Sequence, residues 1–143
     1  MEVTMRLALR KEEYYEYLID ALWGELKRSV SRKIRKSEIK TNYKFINKYK
    51  HADKCYEVIS EITRLEKNRL YELSRKGDFG SQLISYRLDD NHDGTINVTY
   101  SQVTKNNTVF RKLNSTIKQS KEKRMMKQML KQIENEIILK RID

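Results

Sequence analysis

The chain has 143 residues, with 38% hydrophobic and 36% charged side chains and a formal net charge of +11. That length suits one domain, residues 1–143, with enough buried surface for a proper core. No apolar run approaches the roughly 20 residues of a membrane-spanning helix. The opening Met1-Glu-Val-Thr-Met-Arg lacks the apolar core of a signal peptide. A single cysteine, Cys55, excludes an internal disulfide, so a cytoplasmic protein is expected.

Residues 3–9 alternate, with Val3, Met5, Leu7 and Leu9 on one face and Thr4 and Arg6 on the other, which predicts a half-buried strand. The period then changes. Tyr14, Leu18, Leu22 and Leu26, with Tyr15, Ile19 and Trp23 beside them, recur every three to four residues, which predicts an amphipathic helix over residues 11–29. A basic, irregular link follows, with Ser37 and Glu38 starting one short helical turn. Five strands come next, marked by Tyr43, Phe45 and Tyr49; by Tyr56, Val58 and Ile62; by Tyr71 and Leu73; by Ile84, Tyr86 and Leu88; and by Ile96, Val98 and Tyr100. Their links are short and carry turn residues, as in Lys67-Asn68, in residues 76–80 and in residues 89–94. Antiparallel hairpins are therefore expected. Phe110 and Leu113 lead into a last helix over residues 115–141. Its stripe of Met126, Met129, Leu130, Ile133 and Ile137 lies in the second half, and residues 118–124 are almost wholly polar. Only the second half is expected to close on the sheet.

Charge is concentrated. The stretch from Lys27 to Lys54 holds eleven basic residues against Glu38 and Asp53, and residues 118–131 hold six against Glu122. Such patches attract phosphates or acidic partners, or they simply form a solvated surface. Asp89-Asp90-Asn91-His92-Asp93-Gly94-Thr95-Ile96 matches the first eight positions of a calcium loop, but the closing bidentate Glu is replaced by Tyr100. The flanks also alternate as strands, so an Asp-Gly turn is expected and no metal. His51 and His92 lie in polar stretches, and no catalytic triad, metal-spaced cluster or phosphate-binding glycine loop is present. Cys55 is expected to be a small packing residue.

Tyrosine carries the most information. Tyr56, Tyr71, Tyr86 and Tyr100 set one ring on each of four successive strands. Pairing as hairpins brings these rings to one covered face, where each phenol needs a hydrogen-bond partner. A cavity with water or ligand meets that need, as do hydroxyls that reach the sheet margin while the rings fill the core.

The order strand, helix, basic link, antiparallel meander and long final helix resembles the helix-grip fold of the START-like superfamily. More closely, Leu7-x-Leu9 with Glu13-Tyr-Tyr-Glu-Tyr-Leu-Ile, Ile84-Ser-Tyr-Arg-Leu, Gly94-Thr-Ile-Asn-Val-Thr-Tyr and Lys127-Gln-Met-Leu-Lys-Gln-Ile-Glu are similar to a small domain family of Gram-positive bacteria without assigned activity. The resemblance implies an α+β domain whose curved sheet wraps the last helix, often with a cavity between them. It carries over no catalytic residue, and the superfamily's varied activities do not choose among functions.

The expected function is a non-catalytic binding module, without cofactor, for a small apolar or amphipathic ligand held between the sheet and the final helix. The expected walls are Tyr56, Val58, Tyr71, Ile84, Tyr86, Val98, Tyr100, Met126, Met129 and Ile133. The alternative is a basic surface, residues 27–54, that binds nucleic acid or an acidic protein, with Tyr43, Phe45 and Tyr49 stacking on bases. An enzyme would need a titratable residue inside, and Glu57 and Glu61 alternate outward.

Overall fold

A computed structural model describes residues 1–30, 32–106 and 116–142. Strand β1 (Glu2–Leu7) leads into helix α1 (Lys11–Ser29), and a 3-10 turn (Lys36–Glu38) precedes a meander of β2 (Lys44–His51), β3 (Lys54–Glu66), β4 (Leu70–Gly77), β5 (Gly80–Asp90) and β6 (Ile96–Asn106). Helix α2 (Thr116–Lys140) ends the chain. The expected entry into that helix, Phe110 and Leu113, lies outside the described residues. The six strands form one antiparallel sheet in the order β1-β6-β5-β4-β3-β2, so β1 returns to pair with the last strand.

The period of α1 sets its buried face. Tyr14, Leu18, Leu22 and Leu26 are buried, and Tyr15, Ile19 and Trp23 pack half-buried against the core. The Glu13 carboxylate accepts the Arg10 N–H at 2.9 Å and closes the first turn. It also takes two hydrogen bonds from Arg141 beyond α2, which ties the two helices together. The basic link folds back on α1: Trp23 Nε1 donates to the Ile34 carbonyl at 3.2 Å, Lys36 pairs with Asp20, and Lys36 Nζ sits 5.9 Å over the Trp23 ring.

The strands run longer than their apolar alternation suggests, because β5 and β6 continue with Leu83 paired to Val103 on the outer face. Both side chains are exposed, and apolar residues on both faces blur the period of two. A bulge in β3 between Ile62 and Arg64 inserts Thr63, whose hydroxyl donates to Glu72 at 2.9 Å. The acidic loop is a turn between β5 and β6. Asn91 N–H donates to the Thr95 carbonyl at 3.1 Å, Gly94 takes φ +87°, and Arg6 and Lys11 pair with Asp93 and Asp90.

Cys55 corrects an expectation. It is exposed, because it shares the outer face of β3 with Glu57 and Ile59 while Tyr56 and Val58 point inward. The edge position of β2 accounts for part of the basic stretch. Lys44, Lys48 and Lys50 sit exposed along an unpaired edge, where lysine discourages edge-to-edge aggregation.

Candidate ligand-binding site

Register builds the concave face in rows. One row runs Leu88, Val98 and Met5 across β5, β6 and β1; the next runs Leu65, Tyr71, Tyr86, Tyr100 and Val3. Beyond it come Ile62, Leu73, Ile84 and Gln102, and then Ser60, Arg75, Gln82 and Thr104. On β5 and β6 the face passes from Leu88 and Val98 through Tyr86 and Tyr100, then Ile84 and Gln102, to Gln82 and Thr104. On these two strands burial follows the same order, since Leu88, Val98, Tyr86 and Tyr100 are buried while Ile84, Gln102 and Gln82 are only half-buried.

Three of the four strand tyrosines meet. Ring centroids lie 5.8 Å apart for Tyr71 and Tyr86 and 5.0 Å apart for Tyr86 and Tyr100, both edge-on, the favoured arrangement of aromatic quadrupoles. Tyr56 stands apart, because β4 pairs only with residues 59–66 of β3, which leaves Tyr56 opposite Tyr49. The fourth ring of the cluster comes from α1: Tyr14 lies 6.1 Å from Tyr86. Helix periodicity had marked Tyr14 as buried, but nothing in the strand pattern pointed to this contact. Tyr100 donates its phenol to Gln102 Oε1 at 2.7 Å, whereas Tyr14 Oη is buried with no partner among the described residues. Burial holds all four phenols neutral, pushing Tyr100 up to about 12 and Tyr14, Tyr71 and Tyr86 further.

Helix α2 packs on β1 and against α1. Leu130, Ile133 and Ile137 are buried, Met126 and Met129 are half-buried, and residues 120–125 are exposed. The stripe therefore closes where expected. One polar residue interrupts it. Glu134, 3% exposed, accepts the Ala8 N–H at 2.6 Å and pairs with Lys131, latching α2 to the turn after β1.

Where the buried half of α2 gives way to the exposed half, an open cleft of about 340 Å³ is lined by Met1, Gln102, Glu122, Met125, Met126 and Met129. Of the ten expected wall residues, Met126 and Met129 line it. Tyr100 reaches its margin through Gln102, and Ile84 stands opposite Gln102. Val98 and Ile133 lie in the core beneath, and Val58 is buried opposite Asn47 on the far side of the sheet.

That far side holds a polar group the sequence reading missed. Glu25 of α1 receives Arg75 Nη1 at 3.1 Å, Arg75 Nη2 at 3.3 Å and Asn47 Nδ2 at 2.6 Å. Arg75 shares the parity of Tyr71 and Leu73, so its inward direction was readable from the strand. Glu25, beside Leu26 on a helix, carried no such signal. For the basic surface, Phe45 is in the core, Tyr43 is half-buried and only Tyr49 is exposed, so the three aromatics do not form a stacking platform. Glu57 is exposed on the outer face, as expected. Among the described residues no helix is long and apolar enough to cross a membrane, and no three His, Cys, Asp or Glu side chains are grouped to hold a metal.

A six-stranded antiparallel sheet wrapped on a long terminal helix defines the helix-grip fold. The chain belongs to the family described as a domain of unknown function, DUF3284, which matches residues 1–121. No curated protein matches the sequence. Solved structures share the fold at low identity. Ara h 8.0201 is 13% identical with a TM-score of 0.56, covering 96% of each chain. TTHA0849 from Thermus thermophilus is 10% identical with a TM-score of 0.59, covering 97% of each. Mll3558 from Rhizobium loti is 7% identical with a TM-score of 0.54, covering 89% of this chain and 91% of its own.

Proposed function

We propose that this domain is a non-catalytic binding module for a small amphipathic ligand, held where the first half of α2 faces the open end of the concave sheet. The observation that carries this reading is the graded face. Along β5 and β6, aliphatic and phenolic positions lead to Gln102, which lines a methionine-rich cleft of about 340 Å³. That volume lies in the usual range of small-molecule sites, roughly 300–1,000 Å³. Methionine side chains adapt to varied apolar shapes, so the walls select for apolar bulk while Gln102 hydrogen-bonds a polar end. Tyr100, through its hydrogen bond to Gln102, braces the margin of the cleft.

Titration with a fluorescent fatty-acid analogue tests the reading. Saturable one-to-one binding is expected, weakened about tenfold in the Met126→Gln/Met129→Gln double variant with its circular dichroism unchanged. Absence of saturable binding, or identical affinity in the variant, contradicts the proposal.

A further inference from the structure

A second opening lies away from α2, at the other edge of the sheet. A cleft of about 580 Å³ runs between the last turn of α1 and edge strand β2, with Glu25, Arg28, Asn47, Lys48 and Tyr49 in its lining. We propose that this cleft is a second binding site, for a small organic anion with a flat apolar body. The inference does not rest on the cavity beside α2.

Charge selects the class of ligand. Glu25 is engaged bidentately by Arg75, so its charge is balanced within the protein. Arg28 and Lys48 are exposed and form no ion pair among the described residues. The carboxyl end of α1, at Ser29, adds roughly half a negative charge, which two full cations outweigh. The guanidinium and the ammonium suit a carboxylate or phosphate.

Shape and polarity select the rest. Tyr49 is 48% exposed and Ile46 46% exposed, so both offer apolar surface at the cleft. The floor is Asn47, only 5% exposed. Its amide nitrogen must face Glu25 to donate, which fixes the carboxamide orientation and leaves Oδ1 buried without a partner. Packing alone favours apolar residues here, because buried charges and orphaned polar atoms add little stability. A polar floor beneath two unpaired cations is the arrangement of a binding site.

Amide NMR titration of the full chain with phenyl phosphate, benzoate, inorganic phosphate and a single-stranded oligonucleotide tests this. Saturable shifts centred on Arg28, Ser29, Lys48 and Tyr49 are expected, with phenyl phosphate bound more tightly than inorganic phosphate. The Arg28→Gln/Lys48→Gln variant, altered only at exposed positions, weakens that binding about tenfold. A Lys121→Gln/Lys123→Gln variant, which removes equal charge from α2, leaves it unchanged. Three results overturn the proposal: equal weakening in both variants, shifts scattered over the lysine surface, or binding of the oligonucleotide alone.

Discussion

Replacing Arg75 with methionine keeps the length of the side chain and removes its charge, stranding Glu25 against the sheet. The carboxylate then loses two hydrogen bonds, at 3.1 and 3.3 Å, and keeps only the one from Asn47. Breaking a fully buried pair costs about 3–5 kcal/mol, and breaking an exposed one about 0–1 kcal/mol. The Arg75 and Glu25 side chains are 21% and 24% exposed, so Arg75→Met is expected to cost about 2 kcal/mol. For a chain of this length that lowers the melting temperature by about 7 °C. The double variant Glu25→Leu/Arg75→Met removes both charges and leaves Asn47 Nδ2 its contact with Tyr49 Oη at 3.2 Å. It should fall within about 1 kcal/mol of the parent. Urea unfolding followed by circular dichroism on both single variants and the double variant closes the cycle. A single-variant cost under about 0.5 kcal/mol, or a double variant worse than the sum of the singles, refutes the reasoning.

Acid should loosen the join between the helices. Contact with Arg141 holds Glu13 down to about 2, so its contribution is complete above the unfolded carboxylate range and fades as pH falls through about 2. The stability gap between the parent and Arg141→Gln should thus be full at neutral pH and vanish near pH 2 in urea titrations, though solvent screening of the exposed guanidinium keeps it modest. Of the nine tyrosines, Tyr14, Tyr71, Tyr86 and Tyr100 should stay neutral through the normal phenol range in the folded protein. Because folding raises these four, their neutral burial is stabilising below the unfolded phenol range and is lost at higher alkalinity. Ultraviolet phenolate absorbance should show them titrating only on alkaline unfolding. Leu130→Ala, at a fully buried position, should cost about 2–5 kcal/mol by leaving a cavity under α2, measured by the same urea titrations.

The helices were legible because apolar residues recur along one face of each, with Glu134 the buried exception in α2. Tyr14, Leu18, Leu22 and Leu26 recur at one spacing, and α1 spans the expected residues. The strands were legible in number and order but short in length, since Ile46 and Ile59 face each other on the outer side just as Leu83 faces Val103. Return of β1 to β6 depends on contacts about a hundred residues apart in sequence, which no local pattern encodes. The tyrosine face was half legible. Alternation placed Tyr71, Tyr86 and Tyr100 together, but register excluded Tyr56 and a helix supplied Tyr14. The Glu25–Arg75–Asn47 group was only partly legible, because strand alternation turns Arg75 inward while Glu25, beside Leu26 on the helix, reads as solvent-facing.

Native mass spectrometry of freshly purified protein tests the central claim most directly. The account predicts a population carrying one small molecule of added mass, released on denaturation, retained in Arg28→Gln/Lys48→Gln and lost in Met126→Gln/Met129→Gln. A bare chain mass that stays unchanged after incubation with amphipathic acids, or an adduct that survives in the methionine variant, contradicts it.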